Sequence, residues 1–482
     1  MESFEHAGYW WLPEDEENKY FGNLSFSHDG GLTLEMFGSF AVDALEPGVA
    51  KPIGVSERYP VVNGITRAGK YLSLFNCDSN GFSFSVPGFP SEKFIADYAF
   101  EETNPNSKSS PSTKFRGAFI QFTYLPDWIG FSGIRESVLF DEETKLLDRL
   151  EVIYKPADKI IADLGQARVA IVEGYSSRSD LVQGVSLKPN MLLEIDIDEG
   201  ISFQEWYSQF VIPLRDFFTL TTRRHNAVTS LALFSNVDGG EPREGVPKSS
   251  PTKVYYRQPS AKGTRHPKTL YDHDMLFSFS DVKEEFSQVL GDWLVKRAEF
   301  RSTMDLFFAV EGSSGTYLEN DFLNFTQALE VYHRKRFRTT VNPEIISEYE
   351  AKKRAVIGNA PEEYREWLGD RLEIDNQVRL NQRLLELFKH TEAATFKLIK
   401  NGDKFAGRVT KTRNFLTHYS GKVKDVMDSE ELFRATQSLS YVIQVCLLLE
   451  LGLSEERIVM LFERNQKFLF TAFQIRQARY WE

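Results

Sequence analysis

Near the C-terminal end, Arg413-Asn414-Phe415-Leu416-Thr417-His418-Tyr419 sets an arginine five positions before a histidine, with a polar residue directly after the arginine. A guanidinium is a rigid planar fork of donors that can hold and neutralise a phosphate. An imidazole can move a proton near neutral pH. Together they are the minimum equipment for cutting RNA without a metal. The bare pattern is weak, since it arises about once by chance in a chain of this length. A competing pair, Arg383 and His390, is separated by six residues. On an ideal helix that pair shares a face, whereas Arg413 and His418 stand about 140° apart. Context favours the later pair. Asn414 adds a hydrogen-bonding group beside the arginine, and the surrounding stretch is the most basic in the chain. The segment is bounded by Gly402 and Gly421, where a helix end could turn both side chains toward one cleft.

The basic character is local. The 482-residue chain has a formal net charge of −12, which argues against a general nucleic-acid coat. Residues 1–50 hold ten acids and one lysine. Residues 397–424 hold Lys397, Lys400, Lys404, Arg408, Lys411, Arg413, Lys422 and Lys424 against Asp403 alone. Lys404, Arg408 and Lys411 are therefore candidates to hold an RNA backbone. A second cluster is His333-Arg334-Lys335-Arg336-Phe337-Arg338. The other reading of either cluster is a solvated helix face.

Several chemistries lack their signatures. Cys77 and Cys446 are far apart and unaccompanied by CxxC or Cys/His spacing, so neither a disulfide framework nor a zinc site is expected. No metal-ligand cluster, P-loop, nucleophile elbow or Gly-rich dinucleotide motif occurs, and no cofactor is expected. His6, His28, His225, His266, His273 and His333 are scattered. The start, Met1 to His6, lacks the basic and apolar parts of a signal peptide. The apolar run Tyr441 to Leu453 contains Gln444 and Glu450 and is short for a bilayer span. The expectation is a cytoplasmic protein without a membrane.

The elements that position these residues are legible as a change of period. Residues 1–275 read as a β-rich, sandwich- or barrel-like domain. Tyr20 to Ser27, the turn His28-Asp29-Gly30-Gly31, and Leu32 to Phe37 predict a hairpin. Ser73 to Phe75, Asp78-Ser79-Asn80-Gly81 and Phe82 to Val86 predict another. Further strands are expected at Ala118 to Tyr124, Val169 to Val172 and Leu192 to Ile197, with a helix from Phe203 to Thr219. Thr103 to Thr113 and Asn236 to Lys268 read as loops, the second with a short strand at Val254-Tyr255-Tyr256. Tyr9, Trp10 and Trp11 suit a β core, or could stack on a ligand. Over 281–312 the period predicts one long connecting helix. Residues 315–482 read as an all-α bundle. Thr316 and Glu319 suggest a capping box, helices are expected from Leu318 to Tyr332 and from Ile374 to Lys400, Ser429 caps the next, and Ser454 starts the last. The fold class is α+β multidomain.

Arg-Asn-x-x-x-His within a C-terminal helical bundle resembles the HEPN superfamily of ribonucleases, over roughly residues 315–465. The layout, a large β-rich domain before such a bundle, resembles the ApeA-type anti-phage defence proteins. The resemblance implies that Arg413 binds the scissile phosphate, that His418 acts as general acid or base as a ribose 2′-hydroxyl attacks, and that Asn414 orients the histidine or the phosphate. It implies a homodimer or higher oligomer through the bundle, pooling two Arg/His pairs in one cleft. The family often has a supporting acidic or polar residue on an earlier helix. Glu330 is the candidate here, and its other reading is an i,i+4 pair with Arg334. Tyr419 either stacks on a base or packs. The implied function is RNA cleavage, with tRNA a reasonable class, in abortive anti-phage defence. The acidic N-terminal domain would restrain the nuclease or respond to a phage-derived activator. The alternative is a non-catalytic interaction protein with a helical dimerisation module and a ligand-binding β domain, in which His418 would be buried against apolar neighbours.

Overall fold

Along Gly8-Tyr9-Trp10-Trp11, side chains must alternate between two faces of a strand. In the computed structural model, Trp10 is fully buried and Tyr9 is 53% exposed. The structure describes residues 1–40, 58–83, 88–102, 109–180, 182, 184–235, 251–258, 269–312, 316–337, 343–375, 378–418 and 426–481. Trp11 is also buried, with Lys19 over its ring.

The first strands are β1 (Phe4–Leu12), β2 (Asp15–Ser27), β3 (Gly31–Phe37), β4 (Arg58–Thr66), β5 (Tyr71–Ser83) and β6 (Ser91–Glu102). They run in the order β6-β3-β2-β1-β4-β5, and β5 pairs again with β6, so the ring closes into an antiparallel barrel. Closure leaves no open edges along that ring. Trp10, Leu24, Leu34, Met36, Val62, Leu74 and Phe94 fill the interior. The Trp10 indole donates to the Gly22 carbonyl at 3.2 Å. A Cβ on Gly64 would lie 2.1 Å from the Trp10 ring, so the close approach requires glycine there. The β2–β3 hairpin forms with Phe26 opposite Leu32, as the sequence predicts. The second predicted hairpin does not form as read. Asp78-Ser79-Asn80-Gly81 lies within β5 and holds a register shift, not a turn, because the strand pairs with β6 before and after it, at Ser79 opposite Phe94 and at Phe82 opposite Glu92. Phe84 to Val86 lie outside the described residues.

From the barrel the sheet continues through β14 (Thr252–Tyr256), β13 (Val228–Phe234), β7 (Lys114–Phe122), β12 (Gly184–Ser202), β11 (Ala167–Asp180) and β10 (Ile160–Asp163). β8 (Ile134–Phe140) and β9 (Leu147–Tyr154) form a separate ribbon. Among the described residues this unit also carries the short helices α1 (Leu125–Ile129), α2 (Phe203–Trp206), α3 (Ile212–Thr222) and α4 (Phe279–Val282). Ser202 and Glu205 form a capping box that starts α2, and a π-helical turn, Tyr207–Val211, joins it to α3.

The chain divides into two compact units, Met1–Leu294 and Val295–Glu482, with the boundary inside α5 (Phe286–Glu299). The single long helix expected over 281–312 is instead α5 followed by α6 (Arg301–Glu311), broken at Phe300, whose φ −97° and ψ 29° leave the helical region. Phe300 is buried against Tyr332, so its apolar periodicity persists through the break and hides it.

The helical unit continues with α7 (Leu318–Arg336), α8 (Pro343–Asn359), α9 (Glu362–Asp375), α10 (Leu380–His390), α11 (Glu392–Thr395), α12 (Gly402–His418), α13 (Ser429–Glu450), α14 (Glu455–Arg464) and α15 (Gln466–Gln477). The α7 helix is the hub, packed against α6, α10, α12 and α13. Several expected boundaries are corrected. The N-cap of α7 is Tyr317, and Thr316 donates to Asp321 rather than forming a box with Glu319. The expected helix from Ile374 to Lys400 is three helices, α9 to α11. Asp428, not Ser429, caps α13, accepting from the Glu431 amide. Ser454 caps α14, but α15 follows, capped by Asn465. α13 is long and apolar enough to cross a bilayer by composition, yet it is mostly buried inside the unit, as a bundle's core helix must be. Cys446, on α13, and Cys77, in the barrel, are both buried free thiols.

Candidate active site

The site is built on α12 and α7. Asn401 starts α12 by accepting from the Lys404 amide at 3.0 Å. Phe405, Ala406, Val409 and Thr412 form the buried stripe, at spacings that keep them on one side of a helix. Arg413 sits at the edge of that stripe and is partly covered, with its side chain 35% exposed. Its Nη1 donates to Asn414 Oδ1 at 3.2 Å. Its Nη2 lies 4.0 Å from Glu330 Oε2 on α7. Glu330 is 17% exposed and also accepts from Arg334 Nη2 at 2.6 Å.

A single carboxylate therefore stands between two guanidiniums from two helices. Glu330 pairs with Arg334 one turn on, as the i,i+4 spacing allows, and also lies near Arg413. At 4.0 Å the contact with Arg413 is electrostatic, too long for a hydrogen bond, so that edge of the fork keeps its donors for an anion. Asn414 accepts a hydrogen bond from the other terminal nitrogen of the fork. The structure thus places Asn414 against the arginine rather than the histidine.

His418 is the last residue of α12 and is exposed. The helix is continuous from Gly402 to His418, so no break lies between Arg413 and His418. At 100° per residue, Lys404, Arg408, Lys411 and His418 fall within about 80° of one another, while Arg413 lies about 180° from Lys404. The candidate backbone-binding cations thus share a face with the histidine. Arg408 is taken out of that set. It binds Glu431 through Nε at 3.0 Å and again through Nη2, and donates to the Val426 carbonyl. It clamps α12 to α13 rather than presenting an open charge. Lys404 and Lys411 are exposed. Tyr419 lies outside the described residues, as do Gly421, Lys422 and Lys424.

The competing pair does not assemble. Arg383 is 5% exposed and donates to the Val378 carbonyl at 3.0 Å and to His333 Nδ1 at 3.2 Å. His333 is fully buried, and its Nε2 lies 2.6 Å from Glu386 Oε2. His390 instead lies edge-on to Phe337 and lines a small cavity with Thr391, Ala394, Val445, Glu455 and Ile458. Burial, and then the positive charge of Arg336, push its pKa below the ordinary imidazole value. Sequence reasoning placed His333 in a basic run and missed this cluster. Its one local signal was the spacing of Glu330, His333 and Arg334, which puts all three on one side of α7. Among the described residues, no group of three or more His, Cys, Asp or Glu side chains is placed to hold a metal ion.

Comparison with known families follows the same division of the chain. Residues 5–293 match the family described as ApeA N-terminal domain 1, and residues 323–457 match the one described as Apea-like HEPN. Glu330, Arg413, Asn414 and His418 all fall within the second match. No curated protein and no solved structure matches the chain.

Proposed function

The chain belongs to the ApeA family, and from that premise we propose that it is an anti-phage defence nuclease that cuts RNA by a metal-independent HEPN mechanism. The observation that supports this reading is Arg413, partly exposed and oriented by Asn414 and Glu330, on the same helix as the exposed His418. In the proposed step an imidazole takes the proton of a ribose 2′-hydroxyl. The 2′-oxygen bonds to the adjacent phosphorus, the bond from phosphorus to the 5′-oxygen breaks, and that oxygen receives a proton from a second imidazole. The products are a 2′,3′-cyclic phosphate and a 5′-hydroxyl. Arg413 neutralises the extra charge on the phosphoryl oxygens in the transition state.

One imidazole cannot serve as base and acid at once. Arg413 and His418 also face different sides of α12. A homodimer through the helical unit resolves both points, because a two-fold axis sets the arginine of one copy against the histidine of the other. Lys404 and Lys411, on the histidine's face, then guide the RNA backbone. A cytoplasmic setting, structured RNA such as tRNA as substrate, and a phage-derived activator acting on the N-terminal unit complete the proposal. The alternative of a non-catalytic module called for His418 buried against apolar neighbours. Its exposure favours the nuclease reading.

The test is cleavage of labelled tRNA in EDTA by the unaltered protein, Arg413→Ala, His418→Ala and, as a control, His390→Ala. Loss in the first two variants and retention in the third is expected. Unchanged cleavage by both of the first two would sink the assignment.

A further inference from the structure

On α7, Glu330 and His333 are three residues apart and therefore neighbours on one face. Glu330 faces Arg413. His333 is buried and is clasped by two residues of α10 that are also three apart, Arg383 and Glu386. The geometry fixes the protons. A guanidinium offers only donors, so His333 Nδ1 accepts from Arg383 and Nε2 carries the hydrogen donated to Glu386. Both ring nitrogens are thus committed, and the ring stacks on Phe337. Arg383 also lies within electrostatic reach of Arg334 and Glu330, the partners of the site itself.

The helix that carries this clasp packs on both halves of the site. α10 contacts α7 and α12. Phe388 of α10 packs on Phe405 of α12, with ring centroids 5.2 Å apart. Two apolar side chains would fill the His333 position as well as a buried polar cluster does, without the cost of desolvation. What the polar cluster adds is direction: hydrogen bonds fix the sliding and rotation of α10 on α7, which apolar packing leaves looser. The Phe388–Phe405 contact ties the position of α10 to that of α12, the helix that carries Arg413.

We propose that Arg383, His333 and Glu386 form a positioning network that holds α12 in register with α7, and so sets Arg413 against Glu330. The inference rests on the nuclease reading above. His333 is fully buried and is a positioning residue, not one that touches RNA.

The experiment measures kcat and KM for cleavage of bulk tRNA by the full-length unaltered protein, His333→Leu, His333→Gln, Glu386→Ala and Arg413→Ala, with circular dichroism confirming each fold. His333→Leu is expected to lose about 10- to 100-fold in kcat with little change in KM. His333→Gln keeps one acceptor for Arg383 and one donor for Glu386, and is expected to recover most of the rate. Glu386 is 50% exposed, so Glu386→Ala spares the fold and is expected to show a smaller fall in kcat. If His333→Leu does not fold, Glu386→Ala carries the comparison. A folded His333→Leu or Glu386→Ala protein that cuts at the unaltered rate overturns the network, as does a change confined to KM. In either case the nuclease reading stands if Arg413→Ala is dead. If the unaltered protein cuts nothing, or Arg413→Ala cuts equally well, the nuclease reading fails and the network with it.

Discussion

Among the described residues of the helical unit, the Arg413/His418 pair and the Arg383–His333 cluster differ chiefly in burial. Arg413 keeps an open edge, and His418 stands exposed at the end of α12. Arg383 and His333 are closed in and fully engaged with each other, with Glu386 and with backbone. The same two residue types can do chemistry in the first place and architecture in the second. Access to water and substrate separates the roles, since a buried imidazole held at both nitrogens has no site left for a proton from RNA. Sequence spacing alone ranked the clusters differently: on an ideal helix Arg383 lines up with His390, yet its actual partner is a histidine fifty positions away on another helix.

The contrast can be broken most severely at the open cluster. His418→Ala should lower the cleavage rate by about 10²- to 10⁴-fold. Arg413→Ala should lower it by about 10²- to 10³-fold. Neither should move the thermal midpoint appreciably, because neither side chain is buried; Arg413→Lys should recover little, since a point charge lacks the fork. A large drop in the midpoint of either alanine variant would blur the comparison.

The closed cluster should respond in stability as well as in rate. Arg383→Met leaves the buried His333 acceptor unpaired, and urea unfolding should show a loss of about 1–3 kcal/mol. An unfolding midpoint equal to that of the unaltered protein would mean that the cluster is not anchoring the helices.

Arg408 lies between the two cases. Arg408→Ala should cost about 1 kcal/mol of stability through its partly buried pair with Glu431. It should weaken RNA binding less than Lys404→Ala or Lys411→Ala, measured by fluorescence anisotropy at fixed salt. The reverse ranking would return Arg408 to the RNA-binding face.

The smallest expected effect concerns pH. Burial and Arg336 depress the His390 pKa in the folded state, so folding favours its neutral form. The unfolded chain then binds more protons, and stability falls as pH drops below the unfolded value of about 6.5, levelling off beneath the depressed folded value. His390→Gln should flatten the stability-versus-pH curve over that window. An unchanged slope would place the acid sensitivity elsewhere.

Much of the fold is legible in the sequence alone. The change from a two-residue to a 3.6-residue period located the β-rich and helical halves, because each period reports one buried face of a regular element. The β2–β3 hairpin, the helix after β12 and the apolar stripe of α13 followed from local pattern. Local pattern failed where tertiary contacts supplied what the pattern seemed to require. Asn80-Gly81 looks like a turn but is a register shift inside β5, which pairs with β6 both before it, at Ser79, and after it, at Phe82. Phe300 looks like the middle of a helix because the break buries it on the same side.

By itself the sequence determined the order of the two halves, the basic stretch along α12 and the Arg-Asn-x-x-x-His pattern, all of which depend on residues near each other in the chain. Only the tertiary structure decided that Glu330 faces Arg413, that Arg408 is held by Glu431, and that Arg383 belongs to His333. These contacts join residues between 23 and 83 positions apart. Helical periodicity fixes which side of its own helix a residue occupies, but not which neighbouring helix that side meets. That is set by how the apolar stripes of α7, α10, α12 and α13 pack around one core.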